Sequence, residues 1–307
     1  MLIDFPDYSK NNPWQVKTIQ TLAPMEVRIV NKLELVDCYA MHISWEDNLL
    51  KNYGTPEKAN KFIERFEDYL RRQSLRSKII WTLHNLTSHS FALKATEQAL
   101  RSVILEYAST INLMSMKHAF IIPEKHHSKI NLLPHYIEPS RFPVIKKNIN
   151  PTYFRYGANR GSLDKEFYLK LLNNRKVSKF VSDSRLNIEV DSTDHVITKR
   201  RFTSLEADLY AQLANFSTFY RTPKFNSGVI NFLIGNKISV FHDKDSVRYM
   251  DLPESFNKLC IDLSSLKGYS IADLKSRITI DKSDLNDFIR QRSPKLVSKA
   301  FWKGVLL

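Results

Sequence analysis

The sequence has little cysteine and no long apolar segment. Its two cysteines, Cys38 and Cys260, lie far apart in the 307-residue chain, and neither has a nearby partner for a disulfide framework or a zinc site. No apolar run approaches the roughly 20 residues that a membrane-spanning helix needs. The opening MLIDFPDYSK lacks a basic start followed by an apolar core, so we expect no signal peptide. These absences favour a protein of the reducing cytoplasm.

Acidic residues are scarce relative to basic ones. The chain has 32 Asp and Glu against 46 Lys and Arg, a formal net charge of +14. Such an excess favours anionic partners such as nucleic acid, anionic lipid or phosphorylated substrates, without choosing among them. Solubility alone is a further explanation. The composition is otherwise that of a soluble globular protein, and the length suits two domains.

Apolar runs alternate with amphipathic stretches along most of the chain, which predicts βαβ units and parallel sheets. The predicted strands are Met25–Val30, Val36–Ile43, Lys78–Leu83, Thr110–Met114, Thr152–Tyr156, Val177–Val181, Thr218–Arg221 and Lys237–Phe241. The predicted helices are Glu57–Arg72, His89–Tyr107, Leu163–Leu172, Ser204–Leu213, Ser227–Ile234, Ile271–Arg277, Lys282–Arg292 and Pro294–Val305. The segment 137–151 is rich in proline and lacks periodicity, so we predict a linker between an N-terminal α/β domain, 1–145, and a second, 151–293.

Polar side chains follow two of the predicted strands. In IIWTLHNLTSHSF a buried strand leads into His84 and Asn85, and in YAMHISWED His42 lies at a strand end. Open parallel sheets bind ligands outside the carboxyl ends of their strands, which makes these residues candidates for a site. The histidines, Glu46 and Asp47 are candidate general bases, and histidine suits that role because its reference pKa lies near neutral. The alternative for each is an ordinary loop residue.

The histidines do not have the spacing of a metal site. His84 and His89 are five residues apart across a loop, and the adjacent His126 and His127 point in different directions. Asp243-Lys244-Asp245 mimics a D-x-D motif that binds a metal–nucleotide, but it lies late in the chain, after the helix predicted at 227–234. We therefore predict no metal.

Two segments suit phosphate binding. In YFRYGANRGSLDKE, Gly157 and Gly161 lie near arginines, whose guanidinium groups bind phosphate oxygens in pairs. This segment is neither G-x-G-x-x-G nor a P-loop. In FNSGVINFLIG, Asn226 or Ser227 can cap a helix whose first N–H groups favour a phosphate, and Gly228 permits close approach. The alternatives are a basic surface turn and a plain capped helix.

The sequence resembles bacterial GT-B glycosyltransferases that build exopolysaccharide, capsule or O-antigen chains. Six segments carry the resemblance in family order: PDYSKNNPWQ, HISWED, IIWTLHNLTSHS, LLPHYIEP, YFRYGANRGSLDKE and FNSGVINFLIGNKISVF. The resemblance implies an α/β protein of the GT-B class, with two Rossmann-like domains facing each other across a cleft. It also implies that the last helix, about 294–307, packs back on the N-terminal domain.

The resemblance also implies roles for residues at the matching positions. On the N-terminal side, the catalytic candidates are His84, Asn85 and His42, and the acceptor-binding candidates are Asn12, Trp14, Gln15, Trp45, Glu46 and His89. The donor-binding candidates are Gly157, Arg160, Lys165, Asn226, Ser227, Gly228 and Val229. Positive charge and a helix start would stabilise the diphosphate in place of a metal. We expect no cofactor, because the nucleotide-sugar is a substrate.

The resulting hypothesis is a glycosyltransferase that moves a sugar from a nucleotide-sugar to a glycan, one expected to be lipid-linked, during surface polysaccharide synthesis. We expect it at the inner face of the plasma membrane. Helix 57–72 carries Lys58, Lys61, Arg65 and Arg72 beside the aromatic strip Phe62, Phe66 and Tyr69, which suits docking on anionic lipid. The alternative is that this aromatic strip faces the core.

Two other functions remain open on the sequence alone. The family's later segment often carries a glutamate that holds the donor ribose, whereas this chain has Asp243, Asp245 and Asp251 there. A non-catalytic GT-B scaffold or sugar-binding protein is therefore one alternative. A basic nucleic-acid-binding protein is the other, although the chain has no known motif of that class and we expect no nucleic-acid partner.

Overall fold

The computed structural model describes residues 1–5, 12–51, 53–86, 94–142, 152–156, 178–182, 196–199, 202–219, 227–242, 244–257 and 282–307. The chain divides into two compact units. The first contains Met1–Tyr136 and Pro294–Leu307, and the second contains Ile137–Ser293. The second unit thus begins earlier in the chain than the predicted end of the first domain at residue 145. Ile137 lies in the core of the second unit, and its N–H donates to the Arg292 carbonyl at 2.7 Å.

The first unit is built on a parallel sheet. Its strands are β1 (Leu2–Phe5), β2 (Val27–Ile29), β3 (Ala40–Ser44), β4 (Lys78–Leu83), β5 (Thr110–Leu113) and β6 (Ile130–Leu132), in the order β2-β1-β3-β4-β5-β6. β1 and β6 are not among the predicted strands. All four β1 residues are buried, although one of them is an aspartate, and β1 pairs with both β2 and β3.

One face of this sheet is covered by two long helices, α2 (Pro56–Ser74) and α3 (Lys94–Tyr107). The Thr55 side chain accepts a hydrogen bond from the Lys58 N–H, and Pro56 occupies the first helical position, so α2 begins with a standard cap. Phe62 and Phe66 are buried, and Tyr69 is partly buried. Of the two alternatives for the aromatic strip, the structure therefore shows the core-facing one.

The opposite face is covered by α1 (Pro13–Gln15), the π-helical turn Val16–Gln20 that follows it, and the C-terminal helix α9 (Pro294–Leu306). Asn12 caps α1 by accepting from the Trp14 N–H at 2.9 Å, and Pro13 opens the helix. The Trp302 indole N–H donates to the Ile19 carbonyl at 2.8 Å, so α9 holds the π-helical turn in place. The shared core includes Leu2, Trp14, Ile19, Ala40, Ile80, Val297, Phe301 and Trp302.

The second unit contains another parallel sheet. Its strands are β7 (Thr152–Tyr156), β8 (Ser178–Ser182), β9 (Val196–Lys199), β10 (Phe216–Phe219) and β11 (Ser239–His242), in the order β11-β10-β7-β8-β9. Its helices are α4 (Ser204–Leu213), α5 (Gly228–Gly235), α6 (Lys244–Val247), α7 (Glu254–Asn257) and α8 (Lys282–Gln291). The helices predicted at Leu163–Leu172 and Ile271–Arg277 lie outside the described residues.

The second core has an apolar centre of Phe154, Leu233, Ile234, Val240 and Phe256, all fully buried. Among the described residues of both units, no helix has the length and apolar character required to cross a membrane.

Candidate active site

His84 follows β4 and is enclosed by aromatic rings. The Trp45 indole stacks on its imidazole at 3.9 Å between centroids, and the Trp14 indole meets it edge-on at 4.4 Å. The side chain is buried, and Nε2 has no hydrogen-bond partner in the part of the chain that the structure describes. Burial, with smaller contributions from the His42 and His135 imidazoles, lowers the pKa of His84 well below its usual value. His84 is therefore a neutral imidazole at pH 7, with a lone pair that can accept a proton.

Trp45 reaches His84 from an unusual backbone conformation. It directly follows β3 and has φ 48° and ψ 54°, in the left-handed region. This region costs a non-glycine residue roughly 1–2 kcal/mol, so packing must hold it there. The Asn48 N–H donates to the Trp45 carbonyl at 3.0 Å and closes the first turn of a 3-10 helix, Glu46–Leu50. Strain of this kind concentrates at functional sites.

Several buried polar atoms of the first unit have no hydrogen-bond partner among the described residues. Besides His84 Nε2 they include Trp14 Nε1, Gln15 Oε1 and Ser44 Oγ. Each buried polar group without a hydrogen bond costs about 1–3 kcal/mol, so a polar ligand that forms the missing hydrogen bonds would bind favourably. An indole N–H only donates, an amide oxygen only accepts, and a hydroxyl does both. A molecule rich in hydroxyl groups, such as a sugar, matches that mixture.

A row of hydrogen-bonded side chains, here called the polar ladder, crosses the first sheet on the α9 side. His42 Nδ1 lies 2.7 Å from Asp4 Oδ1, and His42 Nε2 lies 2.7 Å from Thr82 Oγ1. The ladder continues from Asn131 Nδ2 to Asn112 Oδ1 at 2.8 Å and from Asn112 Nδ2 to Thr82 Oγ1 at 3.0 Å. Its members lie on β1, β3, β4, β5 and β6.

The polar ladder connects to α1 at one end and supports α9 along its length. Gln15 Nε2 donates to Asp4 Oδ2 at 2.6 Å. A Cβ atom on Gly304 would lie 2.6 Å from Asn131 Nδ2, so a larger residue there would displace the Asn131 amide from the ladder. Phe301 packs edge-on against the His42 ring at 5.2 Å. His42 is fully buried and bonded at both nitrogens, so it supports the site from inside the sheet.

Glu46 is bound within a buried ion-pair cluster. Its Oε1 accepts from Arg101 Nε at 2.9 Å, and its Oε2 accepts from the Trp81 indole at 3.3 Å. Arg101, on α3, also pairs with Glu97 at 2.7 Å. The same guanidinium donates to the Asn85 and Leu86 carbonyls at 2.9 and 2.8 Å. The cluster therefore holds the chain that leaves β4 directly after His84.

The structure brings one group of the predicted site residues together. Trp14, Trp45 and His84 are in direct ring contact, and Trp14 also stacks on His42 at 6.1 Å. Gln15 joins them through Asp4, whereas Asn12 serves as the α1 cap. The predicted residues His89, Gly157, Arg160, Lys165 and Asn226 lie outside the described residues.

The remaining predicted donor residues lie at the start of α5 in the second unit. Ser227 is the N-cap by backbone conformation, although its side chain makes no capping hydrogen bond, and Gly228 and Val229 begin the helix. Ser227 is buried and Gly228 is exposed. No protein atom of the described residues lies within 4 Å of a Cβ built on Gly228.

Sequence reasoning missed the members of the polar ladder other than His42. Asp4, Thr82, Asn112 and Asn131 each lie within a strand of the sheet, and the first three are almost completely buried. Their signal in the sequence is a single polar residue inside a short apolar run, such as Asp4 in LIDF and Asn112 in TINL. Within the described part of the chain, no three His, Cys, Asp or Glu residues cluster as metal ligands.

No protein-family model matches the chain, and the search of curated proteins gave no significant match. Solved structures do match. The Anabaena protein HepE in complex with UDP has a TM-score of 0.57 at 12% identity, over 98% of this chain and 98% of that one. Sucrose-phosphate synthase from Thermosynechococcus elongatus has a TM-score of 0.55 at 13% identity, over 86% of this chain and 72% of that one.

The GtfA/B complex matches at a TM-score of 0.50 and 10% identity, and this chain spans 60% of the matched chain's length. These similar structures are GT-B glycosyltransferases, and the chain has the GT-B fold, as the sequence resemblance implies. At these identities the similarity establishes the fold alone.

Proposed function

We propose that this protein is a glycosyltransferase that moves a sugar from a nucleoside-diphosphate donor to a hydroxyl group of a glycan acceptor. The observation that carries the proposal is the neutral, buried His84 with an unpaired Nε2, at the carboxyl end of β4 in a GT-B fold. Three further polar atoms of the first unit, Trp14 Nε1, Gln15 Oε1 and Ser44 Oγ, have no partner among the described residues and match a hydroxyl-rich ligand. The similar structure solved with UDP-glucose supports a nucleotide-sugar donor.

In the proposed reaction, His84 accepts a hydrogen bond from the acceptor hydroxyl. It takes the hydroxyl proton as that oxygen bonds to the anomeric carbon of the donor sugar. The bond from the anomeric carbon to the diphosphate oxygen breaks, and the nucleoside diphosphate leaves. General-base catalysis of this kind contributes about 10²–10⁴-fold. Asn85 and Trp45 hold the acceptor side of the site in this proposal. His42 supports the site from within the sheet, through its contacts with Asp4 and Thr82.

We assign the donor diphosphate to the start of α5, at Ser227, Gly228 and Val229. Free N–H groups and the helix dipole favour an anion there, and Gly228 leaves room for it. Arg160 and Lys165 supply the positive charge in this proposal, without a metal. That assignment, with those of Gly157, Asn226 and His89, is a sequence-based prediction outside the described residues.

We further propose that the acceptor is lipid-linked, that the product belongs to a bacterial surface polysaccharide, and that the enzyme works at the inner membrane face. Lys58, Lys61 and Arg65 are exposed on α2 whereas Phe62 and Phe66 are buried, so the contact with anionic lipid is electrostatic. Each basic residue near such a surface contributes about 1 kcal/mol. Binding to phosphatidylglycerol vesicles should therefore weaken with salt and in a Lys58→Glu/Lys61→Glu variant. Equal binding to neutral vesicles would contradict this contact.

The donor is tested by thermal unfolding with UDP, GDP, CMP and dTDP sugars, because a ligand that binds only the folded state raises its melting temperature. The catalytic assignment is tested by measuring transfer with His84→Asn and with His127→Asn as a matched control. His127 is exposed and lies 2.8 Å from the Ile122 carbonyl through Nε2. We expect a loss of at least about 100-fold in the first variant only. Absence of nucleotide binding, or an active His84→Asn variant, would refute the proposal.

A further inference from the structure

The donors and acceptors of the polar ladder can be arranged in one direction along the row. The Thr82 hydroxyl accepts from Asn112 Nδ2 and lies 2.7 Å from His42 Nε2. A hydroxyl has one proton to donate, and among the described residues His42 Nε2 is the acceptor within reach. One arrangement satisfies every member of the ladder: the Thr82 proton points to His42 Nε2, which then carries a lone pair. In that arrangement His42 carries its proton on Nδ1 and donates it to Asp4 Oδ1, 2.7 Å away.

The same argument fixes the amide of Gln15. An ionised carboxylate only accepts hydrogen bonds, and Asp4 Oδ2 lies 2.6 Å from the Gln15 amide. Gln15 must therefore turn its NH₂ group toward Asp4. Its oxygen, Oε1, faces away from Asp4, is buried and has no hydrogen-bond partner among residues that the structure describes. Asp4 is thus the last acceptor of a one-way row of hydrogen bonds, and it determines which atom Gln15 leaves unpaired.

We propose that Asp4 is a positioning residue of the acceptor site, which makes Gln15 Oε1 the receptor for a hydrogen-bond donor on the glycan. The proposal rests on the proposed function for the identity of the ligand. It assigns the matching group on the acceptor as a hydroxyl or N–H, because an amide oxygen cannot donate. Asp4 itself is fully buried and acts through Gln15 and His42.

The Asp4→Asn variant tests this orientation. The asparagine introduced at position 4 would keep its oxygen toward the His42 Nδ1–H and turn its own NH₂ toward Gln15. Gln15 must then reverse its amide, with Oε1 accepting from the new NH₂ group and Nε2 left unpaired. Gln15 then offers the ligand an N–H donor instead of an oxygen acceptor, and the volume of the side chains stays nearly the same. We expect the KM for a soluble acceptor to rise about tenfold, from one lost hydrogen bond at a buried site.

The double variant Asp4→Asn/Gln15→Glu provides the matched rescue. A glutamate at position 15 accepts from the amide at position 4 with one oxygen and leaves the other as an acceptor. The double variant restores the original hydrogen-bond pattern and total charge, with the carboxylate now at position 15 instead of position 4. We expect the KM to return to within about threefold of wild type, since the same hydrogen bonds form. A merely structural role for Asp4 predicts no such recovery.

Two measurements decide the proposal. Transfer is followed as UDP released from UDP-glucose with the methyl glycosides of glucose, galactose, mannose and N-acetylglucosamine as acceptors. Separately, long-range ¹H–¹⁵N NMR spectra of ¹⁵N-histidine-labelled protein report which nitrogen of His42 carries the proton. The expected results are an Nδ1–H ring in wild type and recovery of KM in the double variant. An Nε2–H or doubly protonated ring, or a double variant no better than Asp4→Asn, would overturn the proposal.

The two proposals fail in different ways. If wild-type protein binds no nucleotide-sugar and releases no UDP, the proposed function fails, whereas the histidine spectra still show whether Asp4 orients the ladder. If transfer occurs but the Asp4 and Gln15 variants leave the KM unchanged, only the role of Asp4 is refuted. Thermal unfolding of each variant separates a change in the site from a loss of folding.

Discussion

The indole of Trp45 lies almost parallel to the imidazole of His84, with 3.9 Å between ring centroids and 10° between planes. This stacking joins the end of β3 to the end of β4 and buries the candidate base. It depends on a left-handed backbone at Trp45. Packing of the rings therefore maintains the local geometry of the site, although the backbone conformation of Trp45 is itself unfavourable.

The backbone conformation at Trp45 predicts an unusual order of stability. Trp45→Gly should be more stable than Trp45→Ala by about 1 kcal/mol, because glycine adopts positive φ without a Cβ penalty. Chemical denaturation of the two variants measures the difference. Both should lose transfer activity, since neither covers His84. If alanine proved the more stable, the left-handed conformation at position 45 would be wrong.

Removal of the Arg101 guanidinium should be costly. Arg101→Met removes the guanidinium that pairs with two buried carboxylates, Glu46 and Glu97, which predicts a loss of about 3–5 kcal/mol in the free energy of unfolding. Additional replacement of Glu46 by Gln should recover part of that loss, because no unpaired charge then remains at position 46. Urea denaturation checks both values. Equal stabilities of the single and double variants would show that the charge of Glu46 is not the cause.

Stability should decrease at mildly acidic pH. Burial lowers the pKa of both His84 and His135 in the folded protein, against about 6.5 in the unfolded chain. Below that value the unfolded chain binds more protons, so stability is fully present above about pH 6.5 and falls as the pH drops. Each histidine contributes a slope of up to about 1.4 kcal/mol per pH unit.

Denaturation at several pH values between 5 and 7 tests this dependence. His84→Asn should flatten the curve, whereas the exposed His127→Asn should not. An unchanged slope in His84→Asn would mean that His84 is not held neutral by burial.

Two glycines of α5 should respond oppositely to alanine. A Cβ on Gly235 would overlap the backbone carbonyl of Glu138, which cannot move aside, so Gly235→Ala should destabilise the protein by at least about 1–3 kcal/mol. A Cβ on Gly228 meets no described atom, so Gly228→Ala should fold normally. If the donor phosphate approaches the start of α5, Gly228→Ala should nevertheless weaken nucleotide binding, measured by calorimetry. Unchanged binding would separate Gly228 from the donor site.

The regular elements with strong local patterns could be predicted from the sequence. β4, β7 and α4 have the predicted boundaries, because an apolar run or a capping box marks each of them. The sequence does not predict β1, because Asp4 interrupts its short apolar run. A strand that is buried on both faces also lacks the alternation of apolar and polar residues that marks a half-buried strand. The prolines of 137–151 predict a linker, whereas the close contact of Glu138 with Gly235 places the start of this segment in the second unit.

The sequence by itself determined the α/β class, the basic charge and the position of His84 and Asn85 after a buried strand, because these depend on composition and local order. The tertiary structure decided what those residues can do. Trp45 and Trp14 reach His84 from distant segments and bury it, and that burial is the main cause of its lowered pKa. The polar ladder likewise depends on strand order, because β1, β3 and β4 become neighbours only in the sheet. Side-chain chemistry is encoded locally, whereas protonation and orientation depend on neighbours that only the fold supplies.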